Sequence, residues 1–217
     1  EQSKRLACVE EMYRVLAEHY FSRSDLIVAL GGGVVGDMAG FAAATYQRGI
    51  RFVQLPTSLL AQVDSSVGGK TGVDIEQGKN LVGAFWQPSL VLIDPQVLET
   101  LPEKFFCDGM AEVIKYGCIK SLSLFEQLEN KPIEKILDDV IFSCVDIKRK
   151  IVENDEREAG ERMLLNFGHT LGHSLERAYG YQGITPGQAV AVGMSLLTGA
   201  SERSGLTKVV TQNSLCA

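Results

Sequence analysis

The stretch Leu26-Ile-Val-Ala-Leu30, followed directly by Gly31-Gly-Gly-Val-Val-Gly-Asp-Met-Ala-Gly40, decides the fold class of this chain. The unbroken apolar run has the length of a strand, and it predicts a strand of a parallel sheet that is buried on both faces. The glycines and the helical pattern through Phe41 to Tyr46 predict a tight turn that opens a helix. Backbone N–H groups at such a turn bind phosphate, so pyrophosphate is the expected ligand. Three consecutive glycines depart from the GxGxxG fingerprint, and a turn that only packs tightly is the alternative.

The segments on either side of this stretch also have the apolar patterns of alternating helices and strands. Arg5 to Tyr20 has the apolar period of an amphipathic helix, and Arg51 to Leu55 and Leu90 to Ile93 are further strand candidates. Strand signals disappear after Thr100-Leu101-Pro102. Helices are predicted beyond it over Gly109–Lys120, Ser123–Glu129, Ile133–Glu153, Arg162–Ala178 and Gly187–Arg203. The sequence therefore predicts an α/β Rossmann-like domain over residues 1–101, an all-α domain over residues 102–217, and a cleft between them.

Composition limits the possible classes of protein. The chain has 217 residues, 45% hydrophobic and 22% charged, with a net charge of -6, which fits one or two globular domains. The acidic balance argues against a broad surface for nucleic acid. Five cysteines without a CxxC spacing predict reduced thiols in a cytosol. No apolar run reaches the roughly 20 residues of a membrane span, and no signal peptide or initiator Met is apparent, so the chain reads as a piece of a larger protein.

Two stretches combine residue types that carry chemistry. Asn166-Phe-Gly-His-Thr-Leu-Gly-His173 places two histidines one helical turn apart, where they can share a metal ion or an anion, or simply pack as a hydrogen-bonded pair. Asp64-Ser-Ser-Val-Gly-Gly-Lys70-Thr-Gly and the later Gly78-Lys79-Asn80 crowd lysines, glycines and an aspartate into 17 positions. This composition is typical of a cleft wall for an anionic, polyhydroxylated ligand, and solvated surface is the alternative.

A third candidate pair lies in the predicted helix at Gly109–Lys120. Glu112 and Lys115 are three residues apart, so they lie on neighbouring parts of one helix face. Spacing alone leaves open whether they belong to a site or form an ion pair at the surface.

Taken together and in order, these motifs resemble the 3-dehydroquinate synthases, within the sugar-phosphate cyclases. The resemblance rests on GGGVVGDMAGF, LPTSLLAQVDSSVGGKTG, GMAEVIKYG and LLNFGHTLGH, and it covers essentially the whole chain. It implies a cytosolic shikimate-pathway enzyme that uses NAD and zinc or cobalt, with an N-terminal cofactor domain and a helical domain for metal and substrate. The implied reaction converts the small-molecule sugar phosphate 3-deoxy-D-arabino-heptulosonate 7-phosphate to 3-dehydroquinate and phosphate. Family members are longer at both ends, and neither nucleic acid nor a membrane is an expected partner.

The resemblance also implies site residues. Glu112 and His169 match metal ligands, whereas His173 matches a residue that contacts substrate and relays a proton, which replaces the simpler reading of a two-histidine metal site. Arg48 matches a residue that reaches a neighbouring subunit's site, which implies a homodimer, and Glu158 is expected to orient the Arg/Lys cluster. Positions that hold substrate are matched by Asp64, Lys70, Asn80, Lys115, Lys148, Arg162 and Asn166. Positions that bind the cofactor are matched by Glu1, Lys4, Gly32, Gly33, Asp37, Thr57, Ser58, Lys79, Thr100 and Leu101.

One position departs from the family pattern. Its third metal ligand is a histidine in a His-Gly-Glu-Ala-Val-Ala segment, where this chain has Pro186-Gly-Gln-Ala-Val-Ala191. Proline has no metal-binding side chain, so the affinity for zinc should fall sharply. Thr185, Gln188 or water are possible weak replacements. A sequence error, a damaged gene and a natural loss of function are equally compatible with this proline.

Three functions therefore remain open at the level of sequence. The first is a 3-dehydroquinate synthase whose metal site is compromised, and the second is a cyclase that acts on another sugar phosphate. The third is a non-catalytic nucleotide-binding or assembly protein. Metal-dependent polyol dehydrogenases rank lower, because they should lack the segment from Asp64 to Lys70.

Overall fold

A parallel sheet covered by helix α2 forms the first half of the molecule. The structure, a computed structural model, describes residues 2–180 and 183–207. Its first half consists of α1 (Leu6–Glu18), β1 (Leu26–Gly31), α2 (Gly33–Thr45), β2 (Arg51–Pro56), β3 (Lys70–Ile75), β4 (Gly78–Phe85) and β5 (Leu90–Val91). Strands β1, β2 and β5 pair in parallel in that order, with Leu26 opposite Arg51. The three predicted strands are thus confirmed, the third one shorter than expected.

The prediction that β1 is buried on both faces is wrong for this structure. Ala29 of β1 and Phe52 of β2 face the core on the side of α2. On the opposite face Val28 and Leu30 are 56% and 64% exposed. Within the described residues α2 covers only one face, and a second layer of elements is what burial of both faces requires.

A β-hairpin lies where the sequence predicted only the wall of a cleft. Strand β3 pairs antiparallel with β4, with Gly72 opposite Gly83. A Cβ at Gly83 would lie 2.1 Å from the Thr71 carbonyl oxygen, so the strands approach too closely there for any side chain. Strands are recognised in a sequence by the alternation of apolar residues. Glycines and charged residues weaken this alternation here, so the hairpin was not predicted.

The second half is helical, as predicted, with α3 (Glu103–Lys120), α4 (Leu122–Asn130), α5 (Leu137–Asn154), α6 (His169–Ala178) and α7 (Pro186–Arg203). Helix α3 begins six residues before its predicted start. The predicted helix from Ile133 is a 3-10 turn (Ile133–Lys135) followed by α5. The predicted helix from Arg162 is also interrupted, because Gly168 has a left-handed φ of +81° between a 3-10 turn and α6.

One apolar cluster joins the two halves. Leu59, Val63 and Leu98 from the first half pack with Val113 and Val140 from the helices, and all of them are buried. The residues around the cleft therefore rest on a shared core. None of the described helices is long and apolar enough to cross a membrane.

Candidate active site

A cavity of about 640 Å³ lies between the β3–β4 hairpin, α2 and the helical half. It brings together eleven of the predicted site residues from separate parts of the chain. These residues are Asp37, Asp64, Lys70, Asn80, Glu112, Lys115, Lys148, Arg162, Asn166, His169 and His173. The cleft expected between the two halves is therefore present, and its charged end is formed by Asp64, Glu112, Lys115 and Lys148.

Asp64 is the centre of the charged end. It lies in a short π-helical turn, Ala61–Ser65, a geometry that is frequent at functional sites. Lys148 Nζ contacts the main-chain oxygen of Asp64 at 2.7 Å and its Oδ1 at 2.9 Å, and Lys115 Nζ lies 3.8 Å from the same Oδ1. Burial favours the neutral carboxyl, but the two ammonium groups outweigh it and hold the pKa of Asp64 well below its usual range. Asp64 is therefore a carboxylate that keeps two buried lysines in place.

Glu112 and Lys115 form a buried ion pair, so a pairing at the surface is wrong. Glu112 is 4% exposed and Lys115 is 1% exposed, and Lys115 Nζ donates to Glu112 Oε2. Burial opposes the charge of both groups, but Lys115 and then His169 lower the pKa of Glu112, and Asp64 and then Glu112 raise the pKa of Lys115. A buried charge pair of this kind is costly unless both partners stay in place.

His169 and His173 share one face of α6, as their spacing predicted. Their rings meet edge to face with centroids 5.7 Å apart. His169 Nε2 lies 3.4 Å from Glu112 Oε1, so the first residue of α6 faces α3. Gly168 allows this, because its left-handed turn starts α6 at His169.

The two predicted metal ligands, Glu112 and His169, are fewer than a catalytic zinc site needs. Glu112 and His169 are close together, but the residues that the structure describes contain no group of three His, Cys, Asp or Glu side chains able to hold a metal ion. Pro186 lines the same cavity as the first residue of α7. Catalytic zinc usually has three protein ligands, so these residues do not fit such a site.

Thr185 and Gln188, the possible replacement ligands, are hydrogen-bonded to each other. The Thr185 hydroxyl accepts from the Gln188 N–H at 3.2 Å, and Gln188 Oε1 accepts from the Thr185 N–H at 3.0 Å. Together they form a capping box at the start of α7. Both oxygens serve the helix end, which argues against the weak-ligand role that the sequence left open for them.

Lys70, Glu158 and Asn166 form a polar chain at the edge of the cavity. Lys70 Nζ lies 2.5 Å from Glu158 Oε2, and Asn166 Nδ2 donates to Glu158 Oε1 at 2.8 Å. Glu158 thus orients one predicted substrate-binding residue from the hairpin and one from the helical half.

Arg162 is held mainly by backbone oxygens. Its Nη2 donates to the Gly68 carbonyl at 2.8 Å, its Nη1 donates to the Glu156 carbonyl, and its guanidinium lies 5.6 Å from the centre of the Phe85 ring. Its Nε is buried without a hydrogen-bond partner among the described residues. This side chain fixes the turn before β3, and its predicted contact with substrate stays a prediction.

The glycine turn and the start of α2 form a cradle for an anion. A Cβ at Gly32 would lie 3.3 Å from Ser58 Oγ, and one at Gly33 would lie 3.0 Å from Ser65 Oγ. Ser65 Oγ is buried and has no hydrogen-bond partner in the described structure. Close backbone approach, a free hydroxyl and a helix N-terminus fit the pyrophosphate of a dinucleotide.

The other predicted cofactor residues lie around this cradle or outside the cavity. Lys4 Nζ lies 2.6 Å from Asp37 Oδ2 and 2.5 Å from Asn80 Oδ1, and Thr57 N donates to the Gly31 carbonyl. Lys79 Nζ donates to Glu176 of α6 at 3.1 Å. Thr100 and Leu101 end a 3-10 turn away from the cavity lining, Arg48 is exposed on the surface, and Glu1 lies outside the described residues.

Two residues of the site escaped the sequence reasoning. Glu176 is buried in α6, and its spacing from His169 and His173 places all three on one helix face, which was a usable signal. Tyr116 donates its hydroxyl to Asp64 Oδ1 at 2.5 Å. This contact spans 52 positions of sequence, and no local pattern points to it.

Comparisons with known proteins agree with one another. The family model described as 3-dehydroquinate synthase N-terminal matches residues 1–108, and the one described as 3-dehydroquinate synthase C-terminal matches residues 109–217. The chain is 57% identical to a 3-dehydroquinate synthase of Clostridium perfringens over 212 residues, which is 96% of this chain and 61% of the relative. It is 51% identical to one of Streptococcus sanguinis over 220 residues, or 98% of this chain and 62% of the relative.

Solved structures give the same fold. A 2-deoxy-scyllo-inosose synthase complexed with carbaglucose-6-phosphate, NAD+ and Co2+ matches 100% of this chain and 61% of its own, with a TM-score of 0.91 and 32% identity. A 2-epi-5-epi-valiolone synthase from Streptomyces hygroscopicus with bound NAD+ and Zn2+ matches 100% of this chain and 62% of its own, with a TM-score of 0.92 and 29% identity. The Rossmann-like and helical fold class is confirmed by these likenesses. The chain spans about three-fifths of the length of its curated relatives.

Proposed function

The chain belongs to the 3-dehydroquinate synthase family, and we propose that the full-length protein converts 3-deoxy-D-arabino-heptulosonate 7-phosphate to 3-dehydroquinate and phosphate. The observation that carries this proposal is the pair of buried ammonium groups, Lys115 and Lys148, that converge on Asp64 at the cavity. Cations held in a partly enclosed polar cavity suit a substrate that carries a phosphate and a carboxylate.

NAD is the proposed nucleotide, since the cradle of Gly32, Gly33 and the start of α2 suits its pyrophosphate. When bound, NAD supplies a hydride acceptor for oxidation of a substrate hydroxyl, which acidifies the neighbouring C–H and lets phosphate leave. Lys4, Asp37, Thr57, Ser58, Lys79, Thr100 and Leu101 are the other residues proposed to lie along it, together with Glu1.

The chain's own side chains mainly bind and orient the substrate. Lys70, Asn80, Arg162 and Asn166 surround the cavity and are proposed to hold its hydroxyls and charged groups. His173 is proposed to relay a proton from a substrate hydroxyl. Positioning of this kind can supply a large part of the rate enhancement, because the reacting groups are held together in a productive geometry.

The proposed protein has two domains, residues 1–101 and 102–217, and is a cytosolic homodimer in which Arg48 reaches the other subunit's site. No nucleic acid or membrane enters this proposal. The exposed position of Arg48 is compatible with such a contact.

Metal binding is the part of the proposed function that the described residues support least. The two related structures contain Co2+ and Zn2+, whereas the described residues here offer only Glu112 and His169 as close ligands. We therefore expect weak metal binding and low turnover in the protein with Pro186. The comparison that tests this uses the full-length protein, Pro186→His and the matched control Pro186→Ala, with NAD and substrate supplied.

We expect Pro186→His to hold about one zinc per chain and to release phosphate, because a third ligand completes the site. The proline and alanine forms should hold much less metal and turn over slowly. Equal metal content and equal rates in all three would overturn the idea of an incomplete site. Rates near zero in all three, with NAD still bound, would favour the alternative of a non-catalytic nucleotide-binding protein, for which Pro186 is the supporting observation.

A further inference from the structure

Tyr116 lies behind the cavity wall, with its ring in the apolar core and its hydroxyl against Asp64, which lines the cavity. Its side chain is 0% exposed, and its ring packs in the core cluster with Leu59 and Leu124. The hydroxyl donates to Asp64 Oδ1 at 2.5 Å. Because the ring is fixed in the core, the position of the hydroxyl is fixed as well.

Three groups share the single oxygen Oδ1 of Asp64. They are the Tyr116 hydroxyl, Lys148 Nζ at 2.9 Å and Lys115 Nζ at 3.8 Å. Lys115 Nζ also lies 5.0 Å from the centre of the Tyr116 ring, within the range of a cation–π contact. The phenol is thus the neutral donor in a cluster whose other members are charged.

From this arrangement we infer that Tyr116 is a positioning residue of the proposed reaction, since its hydroxyl fixes the Asp64 carboxylate and thereby the two ammonium groups that bind the substrate's anionic groups. The inference rests on the proposed function. Burial, and then the charge of Asp64, raise the pKa of Tyr116 well above its usual value, so the hydroxyl stays protonated and continues to donate.

Removal of the hydroxyl leaves Asp64 with only its lysine partners. The carboxylate can then rotate toward either ammonium group, and the geometry that the substrate needs is populated for less of the time. Binding then requires the carboxylate and the ammonium groups to be reordered. The apparent affinity falls in proportion to the fraction of molecules that have the binding geometry.

The test measures binding to the full-length protein by calorimetry, with two probes, the heptulosonate phosphate and inorganic phosphate. Tyr116→Phe removes the hydroxyl and keeps the ring. Tyr46→Phe is the matched control, because the Tyr46 hydroxyl donates to the Phe21 carbonyl outside the cavity. We expect Tyr116→Phe to weaken binding about tenfold, the size of one hydrogen bond to a charged group, and Tyr46→Phe to change it by less than about twofold.

A double-mutant cycle separates positioning from a general structural role. In an Asp64→Ala background, Tyr116→Phe should weaken binding by less than about twofold, because the carboxylate through which the hydroxyl acts is gone. A further tenfold loss there would overturn the inference. Incorporation of para-aminophenylalanine, which keeps a neutral donor at this place, should restore most of the affinity, and it provides a folded comparison if Tyr116→Phe does not fold. Failure of this donor to rescue a folded protein would also overturn the inference.

The two probes keep this inference distinguishable from the proposed function. If the unchanged protein binds inorganic phosphate but not the heptulosonate phosphate, the proposed substrate is wrong, while phosphate still tests Tyr116. If both probes bind equally well to the protein with and without the hydroxyl, Tyr116 has no positioning role and the proposed function stands. If neither probe binds, both ideas fail.

Discussion

Lys70 of β3 and Glu158, in the segment between α5 and α6, form an ion pair of 2.5 Å that ties the hairpin to the helical half. The other carboxylate oxygen of Glu158 accepts from Asn166 at 2.8 Å. Burial opposes ionisation of Glu158, but the hydrogen bonds from Lys70 and Asn166 outweigh it and lower the pKa of this carboxyl. The pair therefore makes a pH-dependent contribution to stability.

Glu158→Gln should lower the free energy of unfolding by about 1 kcal/mol at pH 7, the size of a partly exposed charged hydrogen bond. Because the folded-state pKa of Glu158 is lowered, its stabilisation is complete above the unfolded pKa of about 4.3 and is lost as the pH falls through the folded-state pKa. Urea unfolding of the full-length protein from pH 7 to pH 3 measures this, with Glu153→Gln as an exposed control. A difference that stays constant over this range would contradict the assignment.

The backbone of Glu158 offers a second test at the same position. Its φ is +62°, in the left-handed region that side chains disfavour. Glu158→Gly and Glu158→Ala both lose the carboxylate, but only the alanine form retains the strain. We expect the glycine form to be more stable by about 0.5 to 1 kcal/mol, after allowance for the greater freedom of unfolded glycine. Equal stability, or a more stable alanine form, would show that this backbone is not strained.

Gly193 sets the closest approach of α7 to the start of α6. A Cβ there would lie 2.1 Å from the Gly168 carbonyl oxygen and 3.0 Å from the Gly172 nitrogen, both of them backbone atoms. Gly193→Ala should therefore separate the helices and lower the free energy of unfolding by about 2 to 3 kcal/mol. Ser201→Ala, near the end of the same helix, should change it by less than about 0.5 kcal/mol. Comparable losses in the two variants would argue against the close packing of α6 and α7.

A substitution in the capping box of α7 tests whether Thr185 stabilises the helix or binds metal. Thr185→Ala removes the hydroxyl that accepts from the Gln188 N–H, and it should cost about 1 kcal/mol of stability. In the Pro186→His protein the same change should leave zinc content unchanged, since Thr185 is occupied by the helix end. Thermal unfolding and metal analysis of one preparation measure both effects. A loss of zinc without a loss of stability would mean that Thr185 is a ligand after all.

Local patterns were sufficient for most of the elements. The run Leu26–Leu30 and the glycines after it predicted β1 and the start of α2, because strand length, turn chemistry and helical period are properties of neighbouring residues. The same reasoning missed the β3–β4 hairpin, whose paired glycines carry no apolar signal. It also placed β1 between two layers, although the elements described in residues 2–180 and 183–207 cover only one face.

For the candidate site, too, some features could be predicted from the sequence and others depended on the tertiary structure. Sequence motifs alone identified the family and most of the polar residues that line the cavity, and they predicted an incomplete metal site from Pro186, because each of these is a matter of residue type and order. Only the tertiary structure decided that Glu112 and Lys115 are buried together, that Thr185 and Gln188 are occupied as caps, and that Tyr116 and Lys148 meet on Asp64. The contacts to Asp64 join residues 52 and 84 positions apart, and their geometry depends on how α3 and α5 pack against one π-helical turn. Spacing along the chain encodes helix faces, whereas burial and contact between distant elements follow from the packing of the whole core.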